Sequence, residues 1–285
     1  MFRKKMLSFA LATMMLITLG VGDASAQAKN VTFEWLSWSV IRLTSPEGKV
    51  FLINPFVSNP FSPVKVDDLE KVDYILVADG HGDEIGQSDQ IALKTGAKIF
   101  TSFTYSRGYF EPKNIPASQI FRGGPGSRFN VDGTTVRLVN AVHGSTTRDG
   151  LSDGTAMGFF FTFSNGLTVY FAGSTAVTTD MQLWGRLYKP HVAILPVTPN
   201  TDPIDTVEMV KLLSTDNPNL KTIIPHHHNT GLKVTAQMPP ERAQGIERRF
   251  NNGTNPADVS AALKAAGLAV TLLDPELSKV YELKQ

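Results

Sequence analysis

Short apolar segments rich in β-branched and aromatic residues recur along this chain, separated by Gly, Pro, Asn and Asp, and they limit the fold more than any other feature. Such segments predict strands. Helical patterns lie between several of them, and Asp202 is a candidate N-cap for the helix predicted at 203–213. The chain therefore predicts an α/β (α+β) protein. We expect one domain with a two-sheet core and helices outside it.

The predicted elements cover most of the chain after residue 30. Strands are predicted at 31–35, 40–43, 49–53, 72–77, 97–102, 128–131, 134–144, 155–163, 167–173, 191–197, 221–225 and 268–274. Helices are predicted at 87–95, 179–188, 203–213, 239–250 and 255–267. The strand at 268–274 is expected to close the domain.

The first 26 residues have the composition of a secretory signal peptide. Basic residues at 3–5 precede an apolar run at 6–20, and the small residues 24–26 form a cleavage site. The run is shorter than the roughly 20 residues that a membrane-spanning helix needs. We therefore expect residues 27–285 to form an exported domain, periplasmic or secreted, without stable membrane insertion.

Composition excludes several classes of site and partner. The chain has no cysteine, so disulfides, thiolate metal ligands and a cysteine nucleophile are impossible. Lys+Arg and Asp+Glu, at 27 and 26, are balanced, which gives no reason to expect nucleic acid as a partner. The mixed-charge segment 241–249 is typical of a solvated helix face. A small-molecule substrate is the partner that remains, and the oligomeric state stays open.

Histidines stand where several predicted strands end. His81 follows one strand within "VADGHGDE", His143 lies near the end of another, and the run 226–228 follows a third. Strand ends that converge on one sheet edge are where α/β proteins place binding sites. Only part of the run 226–228 can face such a site. The candidate ligands are Asp79, His81, Asp83, Glu84, His143 and a histidine of 226–228.

Six short motifs carry a resemblance to a known family. They are "WLSWS", "INPF", "ADGHGDE", "HGS", "GST" and "HHNT", in this order between residues 31 and 273. They resemble "WLGHS", "IDP", "THGHGDH", "HS", "GDT" and "HYNT" of the metallo-β-lactamase-fold hydrolases, in the branch that includes ascorbate-6-phosphate lactonase. The resemblance implies an αββα sandwich with its site at one sheet edge.

The resemblance also implies two metal positions. The residues that match the first are Asp79, His81 and His143, and those that match the second are Asp83, Glu84 and His227. A family Asp that bridges both metals falls on Ser174, an early family His on Trp38 and another family Asp on Asn54. A serine hydroxyl cannot bridge two cations as a carboxylate does. We therefore expect one firmly bound divalent metal and one optional metal: zinc, or iron or manganese.

The function implied is that of an exported metal-dependent hydrolase. It would act on an ester, lactone or phosphoester through metal-bound hydroxide, and Asp83 or Glu84 would orient the water or act as general base. The alternative is a non-catalytic binding protein with this fold and a degenerate metal site, since five positions differ from the family pattern. They are Trp38, Asn54, Asp79, Glu84 and Ser174. A third possibility is an iron-dependent redox protein, because two histidines and one carboxylate are also a ligand set of non-haem iron.

Overall fold

The computed structural model describes residues 30–152 and 155–285. The first sheet consists of β1 (Val31–Trp35), β2 (Ile41–Thr44), β3 (Val50–Ile53), β4 (Tyr74–Leu76), β5 (Lys98–Thr101), β6 (Ile120–Arg122) and, at the end of the chain, β14 (Val280–Leu283). The second consists of β7 (Arg128–Val131), β8 (Thr134–Ala141), β9 (Ala156–Thr162), β10 (Thr168–Phe171), β11 (Val192–Pro196), β12 (Thr222–His226) and β13 (Thr271–Leu272). The predicted signal peptide, residues 1–26, lies outside the described residues.

Helices cover the outer face of each sheet. They are α1 (Gly82–Ile85), α2 (Ser88–Thr95), α3 (Phe103–Tyr105), α4 (Asp180–Tyr188), α5 (Pro203–Ser214), α6 (Pro240–Asn251) and α7 (Pro256–Ala265). Helix α5 begins as the sequence predicts, because the side chain of Asp202 accepts a hydrogen bond from the N–H of Ile204 at 3.0 Å. In the part of the chain that the structure describes, no helix is both long and apolar enough to cross a membrane.

The two sheets pack face to face, and β9 illustrates why. Its side chains alternate between two apolar layers, as the period of two in a strand requires. Phe159 and Phe161 lie between the sheets, whereas Phe160 stacks on Tyr170 and packs against Trp184 of the helix layer. Each buried phenylalanine contributes about 1.5–3 kcal/mol. The α/β (α+β) class and the αββα arrangement are confirmed.

Sheet order brings several strand ends to one edge. The orders are β14–β1–β2–β3–β4–β5–β6 and β13–β12–β11–β10–β9–β8–β7. Strands β10, β11 and β12 are parallel, and β8 runs the same way because it is separated from β10 by the antiparallel β9. The residues after β8, β10 and β12 therefore share one edge. The N–H of Met157 donates to the carbonyl of Ala78 at 2.8 Å, which joins this edge to the end of β4.

The C-terminal region differs from the prediction. The strand predicted at 268–274 is reduced to Thr271–Leu272, and the chain does not close there. It continues to β14, which pairs with β1 in the first sheet, Leu283 opposite Val31. Strand β14 thus pairs with the edge of β1, which lies about 250 residues earlier in the chain. The local sequence carries no signal for such a long-range pairing. Strand β6 and helix α1 are also absent from the prediction.

Candidate metal centre

Five of the predicted site positions meet at the shared sheet edge. They follow the ends of β4, β8, β10 and β12, and they are Asp79, His81, His143, Ser174 and His227. Asp83 and Glu84 lie one turn further along, in the short helix α1, for which His81 is the N-cap residue. Together with Trp38 and Asn54, these seven residues form two groups with different surroundings.

The first group, the metal trio, consists of Asp79, His81 and His143. Each offers one ligand atom, and the three atoms lie within 4.8 Å of one another. Across residues 30–152 and 155–285, no other set of three His, Asp or Glu side chains meets this separation. The Nδ1 atom of His81 is 3.3 Å from the carboxylate of Asp79, and the rings of His81 and His143 are perpendicular, with centroids 5.0 Å apart.

The donor set of the metal trio fits a divalent metal. Zinc binds imidazole nitrogen and carboxylate oxygen at about 2.0–2.2 Å, so neighbouring ligand atoms of a tetrahedral site lie about 3.3–3.6 Å apart. Rotation of the side chains would bring the three ligand atoms of the metal trio, which lie within 4.8 Å of one another, to that separation. Burial, His81 and His227 lower the pKa of His143, although Asp83 opposes them. The neutral imidazole favoured by this shift is the form that coordinates metals.

A hydroxyl pair holds the two loops of the metal trio together. The hydroxyl of Tyr105 is 2.7 Å from that of Ser145, and the N–H of Gly80 donates to Ser145 at 3.3 Å. Gly80 leaves no room for a side chain, since a Cβ there would lie 2.3 Å from the Tyr105 hydroxyl. The loop between Asp79 and His81 is thus fixed against the loop after His143.

The second group, the polar cluster, consists of Trp38, Asn54, Asp83, Glu84, Ser174 and His227. Asp83 accepts a hydrogen bond from the indole N–H of Trp38 at 3.0 Å, and its carboxylate is 3.7 Å from Nε2 of His227. Burial alone would raise the pKa of Asp83, but the interactions with His227 and Trp38 outweigh it and lower this pKa to about 2. The indole of Trp38 thus donates to one of the carboxylates that the family resemblance assigns to the second metal.

Glu84 is enclosed at the centre of the polar cluster and is only 1 % exposed. The amide of Asn54 donates to one carboxyl oxygen, and the hydroxyl of Ser174 donates to the other at 2.5 Å. Nε2 of His227 lies 3.5 Å from the same oxygen as Ser174. Burial raises the pKa of Glu84, and the carboxylates of Asp79 and Asp83 raise it further. Both oxygens of Glu84 are thus engaged by protein donors, which leaves neither free for a second divalent metal in this arrangement.

The histidine run 226–228 divides its side chains among three surroundings. His227 alone of the three lines the cleft. His226 is buried against Phe171, and its Nδ1 lies 2.8 Å from Nδ1 of His227. His228 stacks on Trp35, and burial together with His227 lowers its pKa to about 3. His227 is therefore the histidine of this run that faces the site.

Three residues of the polar cluster have a left-handed backbone conformation. Trp38, Asn54 and His227 have positive φ angles of 53°, 48° and 69°. Residues other than glycine reach this left-handed region at a cost of about 1–3 kcal/mol each and keep it only where their surroundings impose it. The N–H of His227 donates to the carbonyl of Trp38 at 2.9 Å, and the N–H of Trp38 donates to Asn229 at 2.7 Å. These bonds hold the strained segments against each other.

A cleft of about 430 Å³ opens above both groups. His81, His143, Asp83, Ser174 and His227 line it, whereas Asp79 and Glu84 lie behind its wall. Sequence reasoning missed further lining residues, among them Asp205, Arg249 and Phe250. The segment 241–249 gave no sign of this role, because charges of both signs are spread evenly along it.

Comparison with known proteins assigns the family. A family model described as "Beta-lactamase superfamily domain" matches residues 49–244. A UPF0173 metal-dependent hydrolase of Chloroflexus aurantiacus is 34% identical over 210 residues, which are 71% of this chain and 84% of that protein. One from Caldivirga maquilingensis is 37% identical over 204 residues, 70% of this chain and 82% of that protein. The chain belongs to the UPF0173 metal-dependent hydrolases, within the beta-lactamase superfamily.

Solved structures show the same fold as this UPF0173 member. Igni18, a novel metallo hydrolase from Ignicoccus hospitalis, aligns with a TM-score of 0.67 and 24% identity over 90% of this chain and 100% of its own. An isothiocyanate hydrolase from Delia radicum gut bacteria aligns with a TM-score of 0.64 and 20% identity over 88% and 98%. At these identities the likeness shows the fold alone. The family and fold that the sequence motifs imply are both confirmed.

Proposed function

We propose that this protein is a metal-dependent hydrolase that holds one divalent metal in the metal trio and acts on a small ester, lactone or phosphoester. The single observation that carries the proposal is the set of three ligand atoms within 4.8 Å of one another. Two of the residues that supply them, His81 and His143, line the cleft. Membership of the UPF0173 metal-dependent hydrolases supports it. Two imidazoles and one carboxylate suit zinc, with iron or manganese as alternatives.

The chain's own groups would position the reactants. A bound divalent metal would supply a water of lowered pKa, about 7, and would polarise the substrate carbonyl or phosphoryl oxygen. Asp83 lines the cleft beside the metal trio, so its carboxylate can orient a water by accepting a hydrogen bond. The indole N–H of Trp38 donates to that carboxylate and holds it in place.

Glu84 has a positioning role in this proposal. It does not line the cleft, and both of its carboxyl oxygens accept hydrogen bonds from Asn54 and Ser174. It therefore ties α1, which carries Asp83, to the strand ends after β3 and β10. The resulting centre is mononuclear.

Export is part of the proposal. The basic residues 3–5, the apolar run 6–20 and the small residues 24–26 support it. Expression of the full chain in a Gram-negative host, followed by fractionation and N-terminal sequencing, tests it. A protein that begins at residue 27 in the periplasm or medium is expected, and an uncleaved cytoplasmic chain would contradict export.

The second candidate function is binding without turnover. The polar cluster favours it, because Trp38 donates to Asp83 and Ser174 donates to Glu84 at positions where the family resemblance places groups for a second metal. A protein of this kind would hold a ligand in the cleft and would hydrolyse none of the ester classes.

Metal-dependent hydrolysis distinguishes the two functions. Residues 27–285 without a histidine tag are assayed against aryl esters, lactones and phosphoesters, before chelation, after chelation and after addition of zinc, iron or manganese. We expect activity that chelation removes and metal restores, and that His143→Ala abolishes. His191→Asn is the matched control, since His191 precedes β11 at the end away from the cleft and Asn can still accept the hydrogen bond from Thr168. Activity that is equal in His143→Ala and wild type would contradict a hydrolase centred on the metal trio.

A further inference from the structure

One positive side chain faces the cleft without a partner. Arg249 is the single Lys or Arg among the described residues that line it. Within residues 30–152 and 155–285, its guanidinium forms no ion pair and no side-chain hydrogen bond, whereas eight other Lys or Arg ion pairs are formed elsewhere. Five N–H donors in a planar fork are therefore available to a ligand in the cleft.

The helical turn that carries Arg249 is anchored on both sides of it. The carboxylate of Glu247 accepts the N–H of Val234 at 2.8 Å, and the side chain of Asn251 accepts the N–H of Gly231 at 2.8 Å. Both acceptor groups lie in α6, and both donors lie in the loop that follows the histidine run 226–228. The last turn of α6 is thus tied to the segment that supplies His227.

The neighbouring residue attaches the same turn to the polar cluster. Phe250 is buried, and its ring centroid lies 5.2 Å from that of Trp38 and 5.5 Å from that of Phe61, both in edge-on contact. Since Trp38 donates to Asp83, a short chain of contacts links the backbone of Arg249 to the groups of the metal centre. The guanidinium therefore extends from a backbone that is fixed relative to the cleft.

The charges of the lining select the kind of anion. Asp205 of α5 also lines the cleft, and in the described chain its carboxylate makes no ion pair. Arg249 offers one positive charge, whereas the carboxylates of Asp205 and Asp83, which also lines the cleft, repel further negative charge. A carboxylate has one negative charge and accepts two parallel hydrogen bonds from a guanidinium, whereas a phosphate monoester carries nearly two charges at neutral pH.

We propose that Arg249 binds a carboxylate group of the substrate, so that the cleft takes small carboxylate-bearing esters or lactones. This inference rests on the proposed hydrolase function of the same cleft. Val142, Met209 and Phe250 add apolar surface to the lining, which suits a short hydrocarbon between the carboxylate and the scissile bond. The volume of about 430 Å³ admits a small molecule.

Ligand binding tests the inference without reference to activity. Phenylacetate, phenylacetamide and phenyl phosphate share one ring and differ in the head group, and ligand-observed NMR titration gives their dissociation constants for the protein as purified. We expect phenylacetate to bind at least about tenfold more tightly than phenylacetamide, and Arg249→Gln to weaken it by at least about tenfold. Arg248→Gln is the matched control, because Arg248 shares the last turn of α6 but does not line the cleft.

Several results would overturn the inference. They are equal binding of phenylacetate by wild type and Arg249→Gln, an Arg249-dependent preference for phenyl phosphate, or no binding of any of the three probes. Circular dichroism and urea unfolding of Arg249→Gln establish that the fold is retained, as expected for an exposed side chain.

Hydrolysis of a matched substrate pair separates this inference from the proposed function. The mono-4-nitrophenyl ester of glutaric acid has a free carboxylate, and the methyl 4-nitrophenyl diester does not. We expect Arg249→Gln to lower the ratio of kcat/KM between the two by at least about tenfold, mainly through KM. If both esters are hydrolysed and Arg249→Gln leaves this ratio unchanged, the role of Arg249 is refuted and the hydrolase function is retained. Arg249-dependent binding of phenylacetate with no hydrolysis of any ester would refute the hydrolase and retain the carboxylate site.

Discussion

The metal trio and the polar cluster lie side by side at one edge of the sheets, yet they satisfy their polar groups in different ways. The metal trio directs two histidines toward the cleft, and its three ligand atoms converge within 4.8 Å. In the polar cluster, indole, amide and hydroxyl donors occupy the carboxyl oxygens of Asp83 and Glu84. The first arrangement leaves a place for a cation, and the second replaces a cation with hydrogen bonds.

The backbone shows the same difference. Trp38, Asn54 and His227 of the polar cluster have left-handed φ angles, whereas none of the three residues of the metal trio has a positive φ. Strain of this kind persists only where several contacts impose it. The polar cluster is thus a rigid support, and it can keep its geometry without a metal.

The largest expected effect is on metal affinity. His81→Ala removes one of three ligands, and we expect the affinity for zinc to fall by at least about 100-fold, because even a supporting group costs 10–100-fold. Glu84→Gln should change the affinity by less than about threefold, since Glu84 is no ligand in this account. Competition with a chromogenic chelator measures both. Similar losses in the two variants would remove the distinction between the two groups.

Next in size is the effect of Glu84 on stability. Glu84→Ala leaves a cavity and two buried donors without acceptors, and we expect the free energy of unfolding to fall by about 3 kcal/mol. Glu84→Gln should cost about 1 kcal/mol or less, because the amide oxygen can accept from Asn54 while the NH₂ group donates to Ser174. Urea unfolding in the presence of a chelator measures both values. A loss with Gln as large as that with Ala would mean that Glu84 acts as a charged group.

A smaller effect is expected for the bond between Trp38 and Asp83. Trp38→Phe keeps an aromatic ring against Phe250 and removes the donor, which should cost about 1–2 kcal/mol. A double-mutant cycle with Asp83→Asn isolates the interaction, and we expect a coupling energy of about 1 kcal/mol. Additive effects of the two substitutions would show that the indole does not hold this carboxylate.

The smallest expected effect is that of the hydroxyl pair behind the metal trio. Tyr105→Phe removes the hydroxyl next to Ser145, and we expect a loss of about 1 kcal/mol of stability and a decrease of less than about tenfold in metal affinity. Thermal unfolding and zinc titration provide the two values. Complete loss of metal in Tyr105→Phe would place this hydroxyl among the ligands.

The fold was predictable because its strands are short segments rich in β-branched and aromatic residues, separated by turn residues. The boundaries predicted for β1, β7 and α5 agree with the structure to within one residue, since turn residues and caps flank them. The pairing of β14 with β1 was not predictable, because both partners are short and almost 250 residues separate them. Such a pairing depends on the completed sheet.

For the candidate site, the strand ends indicated which residues approach each other, and the structure groups Asp79, His81 and His143. The enclosure of Glu84 was not predictable from the sequence. Its neighbour Asp83 lies in the same short helix α1 but faces the cleft, and the difference arises from Asn54 and Ser174, which follow the ends of β3 and β10. Arg249 belongs to a helix whose charge pattern resembles any solvated face, and only the tertiary structure directs it to the cleft.

The most direct test of this account is the position and number of bound metals. Crystals of residues 27–285, grown with zinc and measured on both sides of the zinc absorption edge, give an anomalous difference map. One peak per chain among Asp79, His81 and His143, and none between Asp83 and His227, is the result that the account predicts. A second peak of comparable height beside Asp83, Glu84 and His227 would contradict it, because the hydrogen bonds from Trp38 and Ser174 would then have given way to a metal.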